Sequence, residues 1–575
     1  MGKGTEMQRS RAHNFLKTLT FLMGTGFLTS MSSAVDFARF DWVDYRNVET
    51  GPAPRAGEYR NPIVAGYYPD PSVVRVGADF YLVNSSFSWF PGLPVWHSRD
   101  LVHWRQIGNA IDRKGQLDFT GLGMSRGTFA PDISYHDGLF YIVNTCVGCG
   151  GNFVITARKP DGPWSDPVWL KNVDGIDPSL FFDEDGSAWL VHNAGPQGTP
   201  RYNGHTAIWL TRFDPKALQA VGEAKVVIDA GVDPSKNPIW IEGPHLFKKD
   251  GVYYIMAAEG GTSEGHSEVI FRSDHVEGPY LPGPTSVNPI LTQRDLDPAR
   301  PNPVTSSGHA DLVKTEKGDW WAVFLATRPY EGGLYNTGRE TFLAHVTWAD
   351  GWPTILPHAT PIPAIARAPG LPRDSAPATT GNFEAREEFA GKALGPEWMM
   401  MRSPTTNWYR IEQGALMLPA RNERLGDGKQ PSFVARRQQS PEAVVTTSVR
   451  FAPAEGEEAG LAALQNDDYF LSVALTRKDG KLAVQVTRRD GPADPAEGKV
   501  VARKPVAMSS VQLRIHARGG RYDFDYAVKP GQWQVAAHDV DATNLSTAKA
   551  GGFVGTLIGP YAQSSKGASA AVIRQ

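Results

Sequence analysis

A short motif recurs five times in the first 330 residues, and this repeat restricts the folds open to the chain more than any other feature. Each copy has a hydrophobic run, a tight turn with glycine and a second, aromatic-rich run. Two such runs around a glycine turn predict a β-hairpin. The copies begin at Asp70, Ala130, Asp177, Gly243 and His309.

The spacing of the copies predicts how the hairpins assemble. Successive copies begin between 47 and 66 residues apart, which leaves room for about four short strands in each repeat. That is the size of a propeller blade, and no convincing helical period interrupts the region. We therefore predict an all-β fold that begins with a five-bladed β-propeller, assigned with its leading segment to residues 35–365.

The repeat also predicts where polar side chains converge. The innermost strand of each blade lines the axis of a propeller, and the motif begins at the same point of every blade. The leading residues should therefore surround one end of the channel. They include Asp70, Asp177 and His309, and Glu242 directly precedes Gly243.

Three converging carboxyl groups suit the hydrolysis of a glycosidic bond. One carboxylate activates a water as general base, and a protonated carboxyl group gives its proton to the leaving oxygen. A third can raise the pKa of the acid and orient it. A turn or cap explains a single aspartate more often, but the matched positions in the repeat favour the catalytic interpretation.

A second β domain follows the repeats. Six prolines between Pro357 and Pro377 predict an extended linker or a wrapping arm, assigned to residues 366–381. Alternating stretches beyond it predict a β-sandwich of the jelly-roll, concanavalin-like kind over residues 382–575. These stretches cover residues 443–451, 470–477, 481–488, 511–518 and 522–528.

Composition and the N-terminus restrict the class of protein. The net charge of −3 gives no basic surface for nucleic acid. Cys146 and Cys149 are the only cysteines, too few for a four-ligand zinc site or a disulfide scaffold, which leaves a local disulfide or a structural pair.

Residues 1–34 predict a secretory signal peptide, hence a secreted or periplasmic protein. Its apolar stretch, Leu19–Leu28, is too short to span a membrane, and we expect no membrane span.

The motifs resemble glycoside hydrolase family 43, in particular its two-domain β-xylosidases and α-L-arabinofuranosidases. The resemblance covers nearly everything after the signal. The segments that carry it include Tyr-Pro-Asp-Pro-Ser at 68–72, Gly-Ile-Asp-Pro-Ser at 175–179, Ile-Glu-Gly-Pro-His at 241–245, Ser-Gly-His-Ala at 307–310, Gly-Arg-Glu-Thr at 338–341 and Gly-Gly-Phe-Val-Gly at 551–555.

The resemblance implies a role for each polar residue. Asp70 matches the general base and Glu242 the general acid of an inverting mechanism. Asp177 matches the carboxylate that tunes the pKa of the acid and holds its orientation. Arg339 matches an arginine that hydrogen-bonds sugar hydroxyls. His309 matches an axial histidine that lies beneath the sugar, near a hydrated ion in some relatives; a core histidine with a backbone partner is the alternative.

Three aromatic residues are expected to line the sugar pocket. Phe87 corresponds to an aromatic of the glycone pocket, and Phe129 stands where many related β-xylosidases carry tryptophan. Phe553 belongs to a segment through which the sandwich is expected to reach the rim of the active site and favour exo action. The alternative is that the sandwich is a carbohydrate-binding module.

We expect exo release of β-D-xylose from the non-reducing ends of xylo-oligosaccharides or arabinoxylan fragments. Release of α-L-arabinofuranose, alone or in addition, is the alternative, because the two sugars present similar hydroxyl patterns. A non-catalytic carbohydrate-binding propeller and an endo-arabinanase are further alternatives. No cofactor is chemically required. A structural calcium ion, near the axis or in the sandwich, is an alternative that these residues leave open. The sequence leaves the oligomeric state open.

Overall fold

The computed structural model describes residues 36–49, 51–381 and 383–565. The predicted signal peptide, residues 1–34, lies outside the described residues. Within the described ranges, no helix has the length and hydrophobicity of a membrane span. The helical elements described are two short 3₁₀ turns and one α-helical turn, at Pro234–Lys236, Thr543–Leu545 and Thr547–Ala550.

Five antiparallel sheets form the blades of the predicted propeller, which is confirmed. In each blade the first strand carries the sequence repeat, and successive strands follow outward, with Gly127–Thr128 and Leu291–Thr292 as additional strands of blades II and IV. The strands are, in blade I, Ser72–Val76, Asp79–Val83, Gly92–Ser98 and Arg105–Ile111; in blade II, Asp132–His136, Leu139–Val147, Gly151–Ala157 and Val168–Trp169; in blade III, Ile176–Phe182, Ala188–Ala194, Ala207–Asp214 and Gln219–Asp229; in blade IV, Glu242–Lys249, Val252–Glu259, Ser267–Ser273 and Leu281–Pro282; in blade V, Thr305–Lys314, Trp320–Thr327, Glu340–Ala349 and Trp352–Thr354.

The hairpins form where the turn chemistry and the hydrophobic runs agree. In blade II, Asp137 and Gly138 have φ values of 48° and 79°, and in blade IV Asp250 and Gly251 have 52° and 83°. Two consecutive left-handed residues make the tight turn whose twist matches the flanking strands, and Asp-Gly is favoured there. Each first strand runs from its leading residue to the hairpin turn, so the turns lie at the opposite end of the propeller from the leading residues.

The proline-rich segment is an arm that lies along the propeller. Ile365–Arg367 pairs with Glu58–Arg60. Further on, the hydroxyl of Thr380 accepts a hydrogen bond from the backbone N–H of Trp104 at 2.9 Å. Of the two structures that the prolines predicted, the wrapping arm is the one observed.

Two eight-stranded sheets pack as the predicted sandwich, which is also confirmed. In sheet order, the first contains Arg410–Ile411, Leu416–Pro419, Phe37–Asn47, Glu442–Arg450, Ser510–Arg518, Arg521–Ala527 and Gln534–Asp541, with Glu384–Glu387 also pairing on Phe37–Asn47; the second contains Lys499–Pro505, Lys481–Asp490, Tyr469–Lys478, Glu457–Asn466, Leu557–Ser564, Ser432–Arg437, Met399–Met401 and Trp89–Phe90.

Two strands cross the domain boundaries drawn from the sequence. Phe37–Asn47, assigned above to the propeller domain, pairs with Glu442–Arg450 inside the first sandwich sheet. Alternate residues of this strand, such as Ala38 and Phe40, are fully buried, so it contributes one face to the sandwich core. In return, Trp89–Phe90 from a propeller loop extends the second sheet through Met399–Met401. The assignment of Phe37–Asn47 to the propeller is therefore corrected.

Candidate active site

The predicted site residues lie near the starts of the innermost strands, and four of the five sequence repeats begin with a left-handed residue. Asp70, Asp177 and His309 have φ values of 51°, 54° and 52°, and Gly243 has 55°. This conformation is costly for a residue with a side chain, and such residues cluster at functional sites. Ala130, which leads blade II, lacks it.

Gly243 explains why blade IV carries its carboxyl group one residue earlier. A Cβ atom on Gly243 would lie 2.7 Å from Cε1 of the His309 ring, closer than side chains approach. The histidine of blade V thus occupies the space beside Gly243, and only glycine fits at that position. The carboxyl group of blade IV belongs to Glu242 instead.

Asp70 is held in place by donors from blades I and V. Its Oδ1 accepts a hydrogen bond from Nη1 of Arg339 at 2.7 Å, and Nη2 reaches Oδ2 at 3.4 Å. The hydroxyl of Ser85 donates to Oδ2, and Nδ1 of His309 lies 4.0 Å from Oδ1. Asp70 is only 4% exposed, so its orientation is fixed before any ligand arrives.

Asp177 and Glu242 form an electrostatically coupled pair. Burial raises the pKa of Glu242 from 4.5 to about 7; repulsion from Asp70 adds to the rise and Arg339 opposes it. Burial, followed by repulsion from Glu242 and Asp70, raises the pKa of Asp177 well above 3.8. The backbone N–H of Gly243 donates to Oδ2 of Asp177 at 3.1 Å. Because like charges in one buried site cannot all ionise, this pair retains a proton near neutral pH.

Three phenylalanine rings form one wall of the site. Phe87 stacks on Phe553 with centroids 5.7 Å apart and meets Phe129 edge-on at 5.0 Å. Phe129 and Phe553 are also in edge contact at 5.8 Å. The guanidinium carbon of Arg339 lies 5.8 Å from the Phe87 ring centre and 5.5 Å from that of Phe553. All the sequence-predicted pocket residues are therefore brought together around Asp70.

The sandwich reaches the site through the segment that ends in Phe553. The backbone N–H of Phe553 donates to the hydroxyl of Ser125 at 2.9 Å. A Cβ on Gly552 would lie 2.2 Å from that hydroxyl, and a Cβ on Gly338 would lie 3.0 Å from Gly555. Glycines on both sides thus permit the close approach that places Phe553 against the propeller.

His309 is buried and neutral near pH 7. Burial lowers its pKa from 6.5 to about 4. Its ring packs on Gly243 and lies beside Asp70, which places it at the floor of the site. Among the described residues, no backbone group lies within hydrogen-bond distance of this ring, whereas Nδ1 of His266 lies 3.0 Å from the carbonyl oxygen of Ser306.

Two hydroxyl groups at the site were missed by sequence reasoning. Ser85 bonds to Asp70, and Thr262 accepts a hydrogen bond from Nη1 of Arg339 at 3.1 Å. The proximity of Ser85 to the Phe87 motif is a weak signal for the first. Thr262 follows a glycine pair in a loop of blade IV, and no pattern in the sequence marks it.

A second polar cluster lies on the axis below the carboxyl groups, built from the third residue of each repeat. Ser72 donates to Asp311 at 2.9 Å, and His245 lies 3.5 Å from Asp132 and 3.6 Å from Asp311. Burial lowers the pKa of His245, but Asp311 and Asp132 outweigh burial and raise the pKa to about 9. The imidazolium thus bridges blades II, IV and V.

The axial cluster also contains the candidate metal ligands among the described residues. One ligand atom each of Asp132, His245 and Asp311 lies within 4.8 Å of the others. Calcium takes six to eight oxygen ligands, whereas this set offers two carboxylates and one imidazole nitrogen. The residues present do not fit a calcium site.

Two family models match the chain over nearly all of both domains. The model described as glycosyl hydrolases family 43 matches residues 59–353, and the model described as the beta xylosidase C-terminal concanavalin A-like domain matches residues 386–573. The first covers the propeller and all of its candidate site residues. The second covers the segment that carries Phe553.

Similar proteins match this chain over most of both lengths. A xylosidase/arabinosidase of Butyrivibrio fibrisolvens is 38% identical over 88% of this chain and 95% of its own. A non-reducing end alpha-L-arabinofuranosidase of Bacteroides ovatus is 37% identical over 88% of this chain and 91% of its own. The crystal structure of a GH43_12 protein from a capybara gut metagenome superposes with a TM-score of 0.84 at 36% identity, over 92% of this chain and all of that one.

Proposed function

The chain belongs to glycosyl hydrolase family 43, and we propose that it removes β-D-xylosyl residues one at a time from the non-reducing ends of xylo-oligosaccharides. The observation that carries this proposal is the set of three carboxyl groups beside an aromatic wall, with Asp70 and Asp177 buried and Glu242 partly buried. Hydrolysis of glycosidic bonds requires an acid and a base that act together across one sugar.

Asp70 is the proposed general base. The guanidinium of Arg339 and the hydroxyl of Ser85 hold both of its oxygens, so the carboxylate is preorganised to accept a proton from water. That water attacks the anomeric carbon from the face opposite the leaving group, and the product has the inverted configuration. Arg339 is also the proposed donor to sugar hydroxyls.

Glu242 is the proposed general acid. A carboxyl group with a pKa of about 7 is about half protonated at neutral pH, whereas one at 4.5 would be only ~0.3% protonated. Its proton passes to the glycosidic oxygen as the bond to the anomeric carbon breaks. The buried setting thus supplies the protonated form that the leaving group needs.

Asp177 is the proposed tuning group for Glu242. The N–H of Gly243, the residue after Glu242, donates to Asp177. This bond favours the negative charge on Asp177 and so leaves the shared proton to Glu242. The same bond ties the backbone beside Glu242 to blade III, which fixes the direction of the acid.

The aromatic wall supports exo action on a single terminal sugar. Phe553, anchored through Ser125, closes the pocket over Phe87 and Phe129. A pocket closed on one side accepts a chain end and excludes the middle of a chain. The similar proteins above are named for xylose and arabinose release, so α-L-arabinofuranosidase activity, alone or in addition, is the second candidate.

Two further proposals complete the function. The basic start, apolar stretch and small residues within positions 1–34 support export. The enzyme would then meet xylan fragments in the medium or in a periplasm. Acid–base chemistry by carboxyl groups requires no metal ion or organic cofactor, and we propose that the enzyme needs neither.

The test compares initial rates on an alkyl β-D-xyloside and an alkyl α-L-arabinofuranoside, whose leaving oxygens must be protonated. Glu242→Ala removes the proposed acid, and Glu264→Ala, at an exposed glutamate of blade IV, is the matched control. The proposal is supported if the wild type and Glu264→Ala hydrolyse the xyloside and Glu242→Ala does not. Hydrolysis of the arabinofuranoside alone would replace the substrate and keep the mechanism. Binding of xylo-oligosaccharides with no hydrolysis of either substrate would make the protein a carbohydrate-binding propeller.

A further inference from the structure

An exposed tryptophan stands two residues before the proposed acid. Trp240 is 44% exposed and has a φ of 50°, an unusual conformation for a bulky residue. Single exposed hydrophobic residues are common on protein surfaces. Exposure alone therefore does not indicate a function for Trp240. The evidence for one is that the ring is immobilised and lies at the rim of the active site.

The Trp240 ring is fixed by two glycines. A Cβ atom on Gly261 would lie 2.6 Å from Cε3 of the indole, and one on Gly204 would lie 3.4 Å from Nε1. Both glycines have positive φ values, 73° and 84°. The backbone N–H of Trp240 also donates to the carbonyl oxygen of Gly204 at 2.8 Å. One side of the indole is thus packed on backbone, and the remainder stays accessible to solvent.

The three loops involved lie at the active-site end of the propeller. Because the strands of a blade alternate in direction, the loop after the second strand and the connection to the next blade lie at the end where the first strand begins. Gly204 follows the second strand of blade III, Trp240 lies in the connection to blade IV, and Gly261 follows the second strand of blade IV. The residue after Gly261 is Thr262, which contacts Arg339.

The opposite part of the rim is covered by the sandwich. Phe553 docks on Ser125 between blades I and II, and Gly555 approaches Gly338 of blade V. The part formed by blades III and IV carries Glu242 and Trp240. A general acid gives its proton to the leaving oxygen, so the leaving group lies on the side of the acid.

Resting on the proposed function, we propose that the exposed part of the Trp240 indole binds the first sugar of the leaving group, a β-linked xylopyranosyl unit. A pyranose presents an apolar C–H surface that packs on an aromatic ring, and a ring already immobilised loses little entropy on binding. Trp240 is therefore a substrate-binding residue for the aglycone, separate from the phenylalanine wall around the glycone.

The test measures how Trp240→Ala changes the discrimination between two leaving groups. Xylobiose leaves a sugar that can contact the indole, whereas 2,2,2-trifluoroethyl β-D-xyloside leaves a small alcohol without a ring. We expect kcat/KM for xylobiose to fall about tenfold or more, and that for the trifluoroethyl xyloside to fall by much less. Trp240→Phe should recover part of the loss. Trp169→Ala is the matched control, because Trp169 is 38% exposed and packs on Gly150 of blade II.

Each outcome bears on the inference. Equal losses on both substrates would show that the variant disturbs Glu242, and an unchanged rate on xylobiose would show that the indole does not bind the aglycone. A comparable loss in Trp169→Ala would show that the effect is not specific to Trp240. Any of these three results would overturn the inference. If the wild type cleaves no xyloside, the proposed substrate fails separately, and α-1,5-arabinobiose against an alkyl α-L-arabinofuranoside makes the same comparison.

Discussion

The assignment of Glu242 as the acid predicts both the pH dependence and the leaving-group dependence of the reaction. Burial raises its pKa to about 7, with a further contribution from Asp70. Catalysis needs the protonated form, which is about 90% of the enzyme at pH 6 and about 10% at pH 8. The value of kcat/KM should therefore fall about tenfold per pH unit on the alkaline side, with a midpoint near 7.

The perturbation that isolates this proton is Glu242→Gln, which keeps the shape of the side chain and removes the acid. Loss of a general acid costs about 10²- to 10⁴-fold in rate. That loss should appear for an alkyl xyloside, whose leaving oxygen must be protonated. It should be small for 2,4-dinitrophenyl β-D-xyloside, whose leaving group departs as a stable anion.

The assay is the pH profile of kcat/KM on both substrates for the wild type and the variant. The alkaline limb should disappear in the variant on the dinitrophenyl substrate. An equal loss on the two substrates, or an alkaline limb that persists in Glu242→Gln, would refute the assignment of Glu242 as the acid. The folded state of the variant is checked by its melting temperature.

Three further predictions follow from other parts of the site. Phe553→Ala removes two aromatic contacts, each worth about 0.5–1.5 kcal/mol, so it should weaken the docking of this segment by about 1–3 kcal/mol. The variant also opens the pocket wall and should lower kcat/KM, and steady-state kinetics with the matched Phe37→Ala variant of the sandwich checks this. The pKa of His245 is raised to about 9, so its imidazolium stabilises the fold fully below pH 6.5 and progressively less up to pH 9. Thermal melts should show a loss in the free energy of unfolding on the order of 3 kcal/mol over that range. His245→Gln should flatten this pH dependence, and an equal slope in the variant would exclude His245 as its cause. Dialysis against EDTA should leave kcat/KM unchanged, and a loss restored by calcium would contradict the metal-independent mechanism.

The repeat made most of the propeller predictable, because each copy combines hydrophobic runs with a glycine turn. It also gave the convergence of Asp70, Asp177, Glu242 and His309, since equivalent positions of the blades surround one axis. The same argument places the third residue of each copy on the axis. The repeat does not indicate, however, that His245 lies between Asp132 and Asp311, which depends on the side-chain packing of three blades.

Long-range pairing was the part that sequence patterns could not supply. The alternation in Phe37–Asn47 identifies a strand, but nothing local indicates that its partner, Glu442–Arg450, lies about 400 residues away. The hydroxyl of Thr262 is likewise positioned by the fold of a loop. Phe553 was found from a motif, whereas its contact with Ser125 depends on how the two domains dock.

The stereochemistry of the first product tests the central claim most directly. A β-D-xyloside is hydrolysed in an NMR tube, and the anomeric proton of the released xylose is followed before mutarotation mixes the two forms. Attack by water activated at Asp70, with proton transfer from Glu242, predicts α-D-xylose as the first product. Initial formation of β-D-xylose would require a covalent intermediate and would contradict the account.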